Sequence, residues 1–462
     1  MNRFFGLISA VYLCSIFSAC GDTFRPIIIP NPPTFPNPAA AHTVVSINDN
    51  APPPGQTEFA AGSAMVIDVT GDIDTSIANV GLVPVFAVQQ TANQVLVANH
   101  SVTGALADSV TKLNFFGITI GSTNTISLPA NSAPNFVATT ESNQAYVLLP
   151  GLPAVGVLNT LSNTLVNTFA VGNNPDAMAE TANGQKLYVA NLGDNTVSGF
   201  NTAAGSLSSR GNVIGSFNAP LWISARSDSQ RLYVLNGNGA ISTVDTTSTA
   251  GPDIVIDASI TVPAGSAFMF YDVNKNRLYI PGGTTLTILD VSGSIPKPLA
   301  SITIPTATPG SRLSFDPCAT TTMQPLTVSA VTALPDGTRA YVGAYYEDLS
   351  GEGTFCPQVA VIDVPSNTVK TYFGVPGSPD ATVPSSPYYV PVCATTRFRI
   401  MMAAAGDSTR TYLSSCDGGN VNLIDTSIDS YILNLAAPIG IRPPISGPQN
   451  PPQNPVFLIA GP

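Results

Sequence analysis

The stretch Lys186–Thr202, KLYVANLGDNTVSGFNT, constrains the fold more than any other part of the chain. Leu187–Asn191 is rich in β-formers, Gly193-Asp194-Asn195 is a turn cluster, and Val197–Asn201 opens a second strand. The first half of this unit recurs at Val95–Asn99, Ala145–Leu149, Leu232–Asn236, Leu278–Gly282, Ala340–Ala344 and Thr411–Ser415. The second half recurs at Val66–Val69, Val157–Thr160, Thr243–Thr246, Ile288–Val291, Val361–Val364 and Leu423–Thr426, with a degenerate copy at Lys112–Phe116. A strand precedes each first half across turns such as Pro335-Asp336-Gly337, and another follows each second half, as at Thr164–Val171. A unit of four short strands, a to d, repeated mostly about every 42 to 46 residues is the signature of a propeller blade. Such a unit cannot bury its apolar face alone. The expected fold is therefore all-β, a single β-propeller of four-stranded blades.

Third-strand motifs number eight, near Ile67, Leu113, Leu158, Phe200, Val244, Leu289, Ile362 and Ile424. Eight blades are expected, with seven the alternative if the copy at Leu113 is misassigned. Both ends of the chain carry part of a blade. Val66–Val69 reads as a third strand with no second strand close before it, and Val456–Ala460 reads as a second strand at which the chain stops. Pairing them makes a composite N- and C-terminal blade, which closes the ring and removes exposed strand edges. The domain organisation expected is 1–19 signal peptide, 20–59 Pro-rich tether and 60–462 propeller.

The leader follows from Arg3, the uncharged apolar run Phe4–Phe17, and Phe17-Ser18-Ala19-Cys20. That run is too short to span a bilayer and has the length of a signal-peptide core. Its end resembles a lipobox, with Phe17 where Leu is usual, so Cys20 is the expected lipid attachment. Cys14, inside the run, has no expected role. Pro26, Pro30, Pro32, Pro33, Pro36 and Pro38 make the next segment extended and stiff. A lipid at Cys20 and a stiff spacer would hold an exported domain near a bacterial membrane, periplasmic or at the cell surface.

These repeats resemble the YVTN β-propeller repeat family and the lactonase-like bacterial propellers, with Lys186–Thr202 the copy nearest that repeat. The resemblance covers residue 60 to the end. It implies the fold, with seven blades the commoner number, and by proximity a lactonase-like hydrolase using carboxylates at the channel mouth. A propeller fold by itself is compatible with many activities.

The residues point more to binding. The net charge is −11 with 17 Lys plus Arg and no basic run, which disfavours nucleic acid. Two histidines, His42 in the tether and His100 in a loop, are too few for a His-rich metal centre. No haem-attachment, Gly-x-Ser-x-Gly or phosphate-loop motif occurs, and no cofactor or metal is expected. Asp245, Asp290, Asp363 and Asp425 recur at one repeat position, which marks them as turn caps. Residues that do not repeat are better candidates for a partner: Asp176, Trp222, Tyr346, Glu347, Asp348, Tyr388 and Tyr389. All fall in or beside d–a or b–c connections, on one face of the ring. A non-catalytic module binding a protein, glycan or small molecule there is one function class; the lactonase-like hydrolase is the other. Of the cysteines, Cys318 and Cys393 precede strands a, while Cys356 and Cys416 lie just before strands c. Both pairs span the same two connections, giving Cys318–Cys356 and Cys393–Cys416 as the expected disulfides.

Overall fold

The computed structural model describes residues 43–51, 60–100, 108–140, 143–307, 325–347, 355–375, 393, 397–432 and 453–460. These residues form eight four-stranded antiparallel sheets and no α-helix. Strand order within each sheet runs a-b-c-d, with a facing the centre of the ring. Blades 2 to 8 take consecutive chain. Their innermost strands are Pro84–Thr91, Phe136–Ala138, Pro175–Glu180, Pro220–Ala225, Phe270–Asp272, Thr327–Ala333 and Ile400–Ala404. The chain is thus an eight-bladed β-propeller, and the degenerate copy at Leu113 is a true strand c, Ser109–Phe116.

Blade 1 is composite, but the termini divide it unequally. Asn454–Ala460 is strand a, and the N-terminal side supplies strands b, c and d as Thr43–Asn50, Ala60–Asp68 and Ile73–Leu82. Two sequence expectations are corrected here. Val456–Ala460 is a first strand and not a second. Thr43–Asn50, assigned to the tether, is a propeller strand, with Val45 facing Ile459 and Ile47 facing Phe457. An apolar run with no period carries no information about its place in a sheet. Pro-rich flanks on both sides concealed the short strand at Thr43.

The repeat has a physical basis. The tyrosine that six of the seven first-half motifs carry (Tyr146, Tyr188, Tyr233, Tyr279, Tyr341, Tyr412) is wholly buried between blades. Most c–d turns end in a left-handed residue just before strand d: Asp72, Gly117, Asn163, Gly205, Asn367 and Asp429, all residue types that tolerate positive φ. The recurring aspartates at the ends of strands c cap the c–d connections, as expected. Asp245 accepts the Thr247 N–H at 3.0 Å, Asp290 that of Ser292 at 2.9 Å and Asp425 that of Ser427 at 2.8 Å.

The residue before strand d also clips one blade to the last. Asp253 of blade 5 accepts Tyr188 Oη at 2.7 Å and pairs with Lys186 and Arg210 of blade 4. Asp429 of blade 8 accepts Tyr341 Oη at 2.6 Å and pairs with Arg339 and Lys370 of blade 7. Burial alone would push the Asp429 carboxyl up, but Lys370, Tyr341 and Arg339 hold it below the usual range. Asp72 of blade 1 does the same for Arg410 and Tyr412 of blade 8, so this clip also seals the closing joint.

Candidate functional site

The two faces of the ring differ. On one face, a–b and c–d connections are short turns. The other carries the b–c and d–a connections, including the long segments 304–326, 375–399 and 432–453. We term these the turn face and the loop face. Long connections over a rigid scaffold are where binding residues concentrate.

The ring's axis is filled below the loop face. Six aromatic residues on or just before strands a converge there: Phe86, Phe136, Trp222, Phe268, Phe398 and Phe457. Phe86 stacks on Phe136 with centroids 4.0 Å apart, and Phe136 meets the edge of Trp222 at 5.5 Å. Trp222 contacts Phe398 at 6.0 Å, and Phe457 links Phe398 back to Phe86. Trp222 belongs to blade 5 and Phe398 to blade 8, so this contact crosses the axis. Edge-on and offset contacts of this kind add to the area the rings bury.

Arg397 lies over this plug. It leaves blade 8 and reaches blades 4 and 5 on the opposite side. Its guanidinium donates to Asp176 Oδ2 at 2.9 Å, to the Asp176 carbonyl at 2.8 Å and to the Leu221 carbonyl at 3.0 Å. It also stands 5.0 Å from the Trp222 ring and 5.8 Å from Phe398, in cation–π geometry. Burial pulls the Arg397 pKa down, while the Asp176 charge and hydrogen bond oppose that shift. Cation and carboxylate are thus committed to each other at the mouth of the channel.

A second polar cluster lies at the seam between blades 8 and 1. Cys393 and Cys416 form the expected disulfide. Asp417 accepts the Cys393 N–H at 3.1 Å and pairs with Arg399 at 3.0 Å; burial raises its pKa against the pull of Arg399. Arg399 stacks over Phe355 at 3.7 Å. Asn454 Nδ2 donates to the Cys416 carbonyl at 2.9 Å, tying the last strand to the disulfide. Beside Asn454 in the sheet, Asp49 is 4 % exposed and its Oδ1 has no hydrogen-bond partner among the described residues. Burial pushes its pKa up to about 7, against a lowering by the Asn50 backbone N–H.

Of the residues singled out from sequence, Asp176 and Trp222 are brought together through Arg397. Trp222 is 2 % exposed and packs in the plug, so it presents no surface to a partner. Tyr346, in strand b of blade 7, is likewise buried at 1 %. Both are corrected from partner-facing residues to packing residues: an aromatic beside a connection still points inward when its strand faces the core. Glu347 ends that strand opposite Phe355. Cys356 is in a disulfide, and its expected partner Cys318 lies outside the described residues. Asp348, Tyr388, Tyr389 and Cys20 also lie outside them. Sequence reasoning missed Arg397, Phe398, Arg399, Asp417 and Asp49. The signal for the first three was present: Arg397-Phe398-Arg399 is a non-repeating basic pair in a chain with 17 Lys plus Arg.

An eight-bladed ring with an aromatic-filled axis defines the class of protein, a β-propeller. Comparison with known proteins agrees at the level of fold. No family model matches the chain, and no curated protein matches it. Among solved structures it is similar to AztD from Citrobacter koseri, with 12 % identity, a TM-score of 0.53, and 91 % of this chain and 98 % of that one covered. It is also similar to the periplasmic gluconolactonase PpgL of Pseudomonas aeruginosa, at 10 % identity and a TM-score of 0.50 over 91 % and 99 % of the two chains. A third similar structure is dihydro-heme d1 dehydrogenase NirN, at 11 % identity and a TM-score of 0.57 over 86 % and 73 %.

Proposed function

We propose that this chain is an exported, lipid-anchored propeller that binds a partner on its loop face and catalyses no reaction there. The observation that carries the reading is Arg397. A hydrolase at the channel mouth needs a carboxylate or cation free to meet substrate. Here Arg397 is paired with Asp176 and bonded to the Leu221 carbonyl, above an axis closed by aromatic rings. The raised carboxyls nearby are placed for structure, Asp417 beneath Arg399 and Asp49 inside a sheet. The gluconolactonase among the similar structures supports the alternative, a lactone hydrolase, at the level of fold alone.

Export and the anchor rest on the leader and on the Phe17–Cys20 motif. Tyr388 and Tyr389, in the long connection between blades 7 and 8, are the side chains we assign to partner contact. The test is a glycan and peptide array probed with mature chain extracted from membranes. Binding is expected to fall at least tenfold in Tyr388→Ala/Tyr389→Ala at unchanged melting temperature. Undiminished binding by that variant would overturn the loop-face assignment. Recovery of the wild-type chain as soluble protein without acyl mass on Cys20 would overturn the anchor.

A further inference from the structure

The turn face holds a feature that this reading does not use. Between Asp245 and Ile254, blade 5 has the longest of the eight c–d connections, 246–253. It rises beside the a–b turn of blade 4 and borders an open-sided cavity of about 370 Å³ between the two blades. That volume falls in the range of small-molecule pockets, yet every residue lining it is polar.

The loop is held in place from below. Lys186 Nζ donates to the Thr246 carbonyl at 2.6 Å, the Ser248 carbonyl at 2.7 Å and Asp253 Oδ1 at 3.0 Å. Arg210 donates to the Ser248 carbonyl at 3.0 Å, to Asn201 Oδ1 at 2.8 Å and to Asp253 at 3.2 Å. A pocket fixed in this way loses little freedom when a ligand enters. The same bonds consume the cations. Lys186 has spent its three donors, and Asp228 is paired with Arg226 at 2.7 Å. A charged ligand would leave water without a countercharge to meet it. What remains is neutral: the side-chain amides of Gln185 and Gln230 and the hydroxyl of Thr249 make no hydrogen bond among the described residues. Amides and hydroxyls both donate and accept, and so complement a ligand dense in hydroxyl groups.

We propose that this cavity is a binding site for a neutral polyhydroxylated ligand, a sugar ring either free or within a glycan. It is independent of the loop face and holds whether or not a partner binds there. No aromatic platform lines the cavity, so single-ring affinity is weak and suits saturation-transfer NMR.

The experiment records transfer from the full chain to a panel of neutral hexoses, the corresponding di- and trisaccharides, gluconate and inorganic phosphate. Transfer to at least one neutral sugar is expected, with a drop of fivefold or more in Gln185→Ala/Gln230→Ala and no response to gluconate or phosphate. Stronger transfer to the oligosaccharides identifies a glycan as the source, and equal transfer a free sugar; either supports the site. Transfer is also recorded from Tyr388→Ala/Tyr389→Ala, and the signal lost in the double glutamine variant but kept in this one belongs to the cavity and not to the loop face. Both glutamines are on the surface, and an unchanged circular dichroism melt confirms that their variant folds. Transfer to no neutral sugar, transfer undiminished in the double glutamine variant, or displacement of sugar by phosphate would overturn the proposal.

Discussion

A chain ending at Gln453 is expected to lose its cooperative melting transition. The truncation removes strand a of blade 1, whose Val456, Phe457, Leu458 and Ile459 are 0–4 % exposed. Burial of such side chains contributes about 1.5–3 kcal/mol each, or roughly 6–12 kcal/mol together. That is comparable to the whole stability of a typical native protein, about 5–15 kcal/mol. The loss also uncovers the edge of Thr43–Asn50 and opens the aromatic plug, where Phe457 bridges Phe86 and Phe398. Phe457→Ala is the graded form of the experiment. It keeps the backbone pairing and leaves a cavity at the axis, at a cost of about 3–5 kcal/mol. Thermal melts followed by circular dichroism check both variants. A truncated chain that melts at the wild-type temperature would contradict the closure described here.

The second large effect lies on the facing strand. Asp49 is expected to make the protein less stable as pH rises. Its native pKa is pushed up to about 7, while an unfolded Asp titrates near ~3.9. Between these values the native state holds a proton that the unfolded state has released. The stability that Asp49 contributes is therefore greatest below about pH 4, declines through the window, and reaches its lower plateau above pH 7. Three pKa units correspond to roughly 4 kcal/mol. Asp49→Asn keeps the shape and removes the titration, so it should melt several degrees above wild type at pH 8 and close to it at pH 4. Urea unfolding at the two pH values measures the difference. A difference between wild type and the Asn variant that is the same at pH 4 and pH 8, or an Asn variant no more stable at pH 8, would show that Asp49 does not carry this charge penalty.

Much of the ring is legible in the chain because blades repeat and repetition exposes its own period. The tyrosine and aspartate positions mark strands b and c, since one is buried between blades and the other caps a turn in the copies that carry them. Strands a are harder. Most of their residues are buried, so they show no alternation, and the shortest, Phe136–Ala138 and Phe270–Asp272, read as little more than apolar spots. The same ambiguity misplaced Val456–Ala460 by one strand. Trp222 and Tyr346 looked like recognition residues because they break the repeat. They break it because the axis and the longer strands b and c of blade 7 need filling at those points. The contact between Arg397 and Asp176 joins residues 221 apart in sequence, and no local pattern encodes a bond across the ring. The carboxyls at Asp49 and Asp417 were hidden for a related reason: what perturbs them is burial, which depends on the closed fold.

The claim that the channel mouth is a closed, non-catalytic support for a binding face is tested most directly by lactone hydrolysis. Purified wild-type chain is mixed with a series of five- and six-membered sugar lactones, and acid release is followed against buffer. The expected result is a rate equal to the buffer rate for every lactone, in wild type and in Asp176→Asn alike. Turnover above buffer that falls at least tenfold in Asp176→Asn, with the fold intact, would contradict it and make the Arg397–Asp176 pair the centre of a hydrolase.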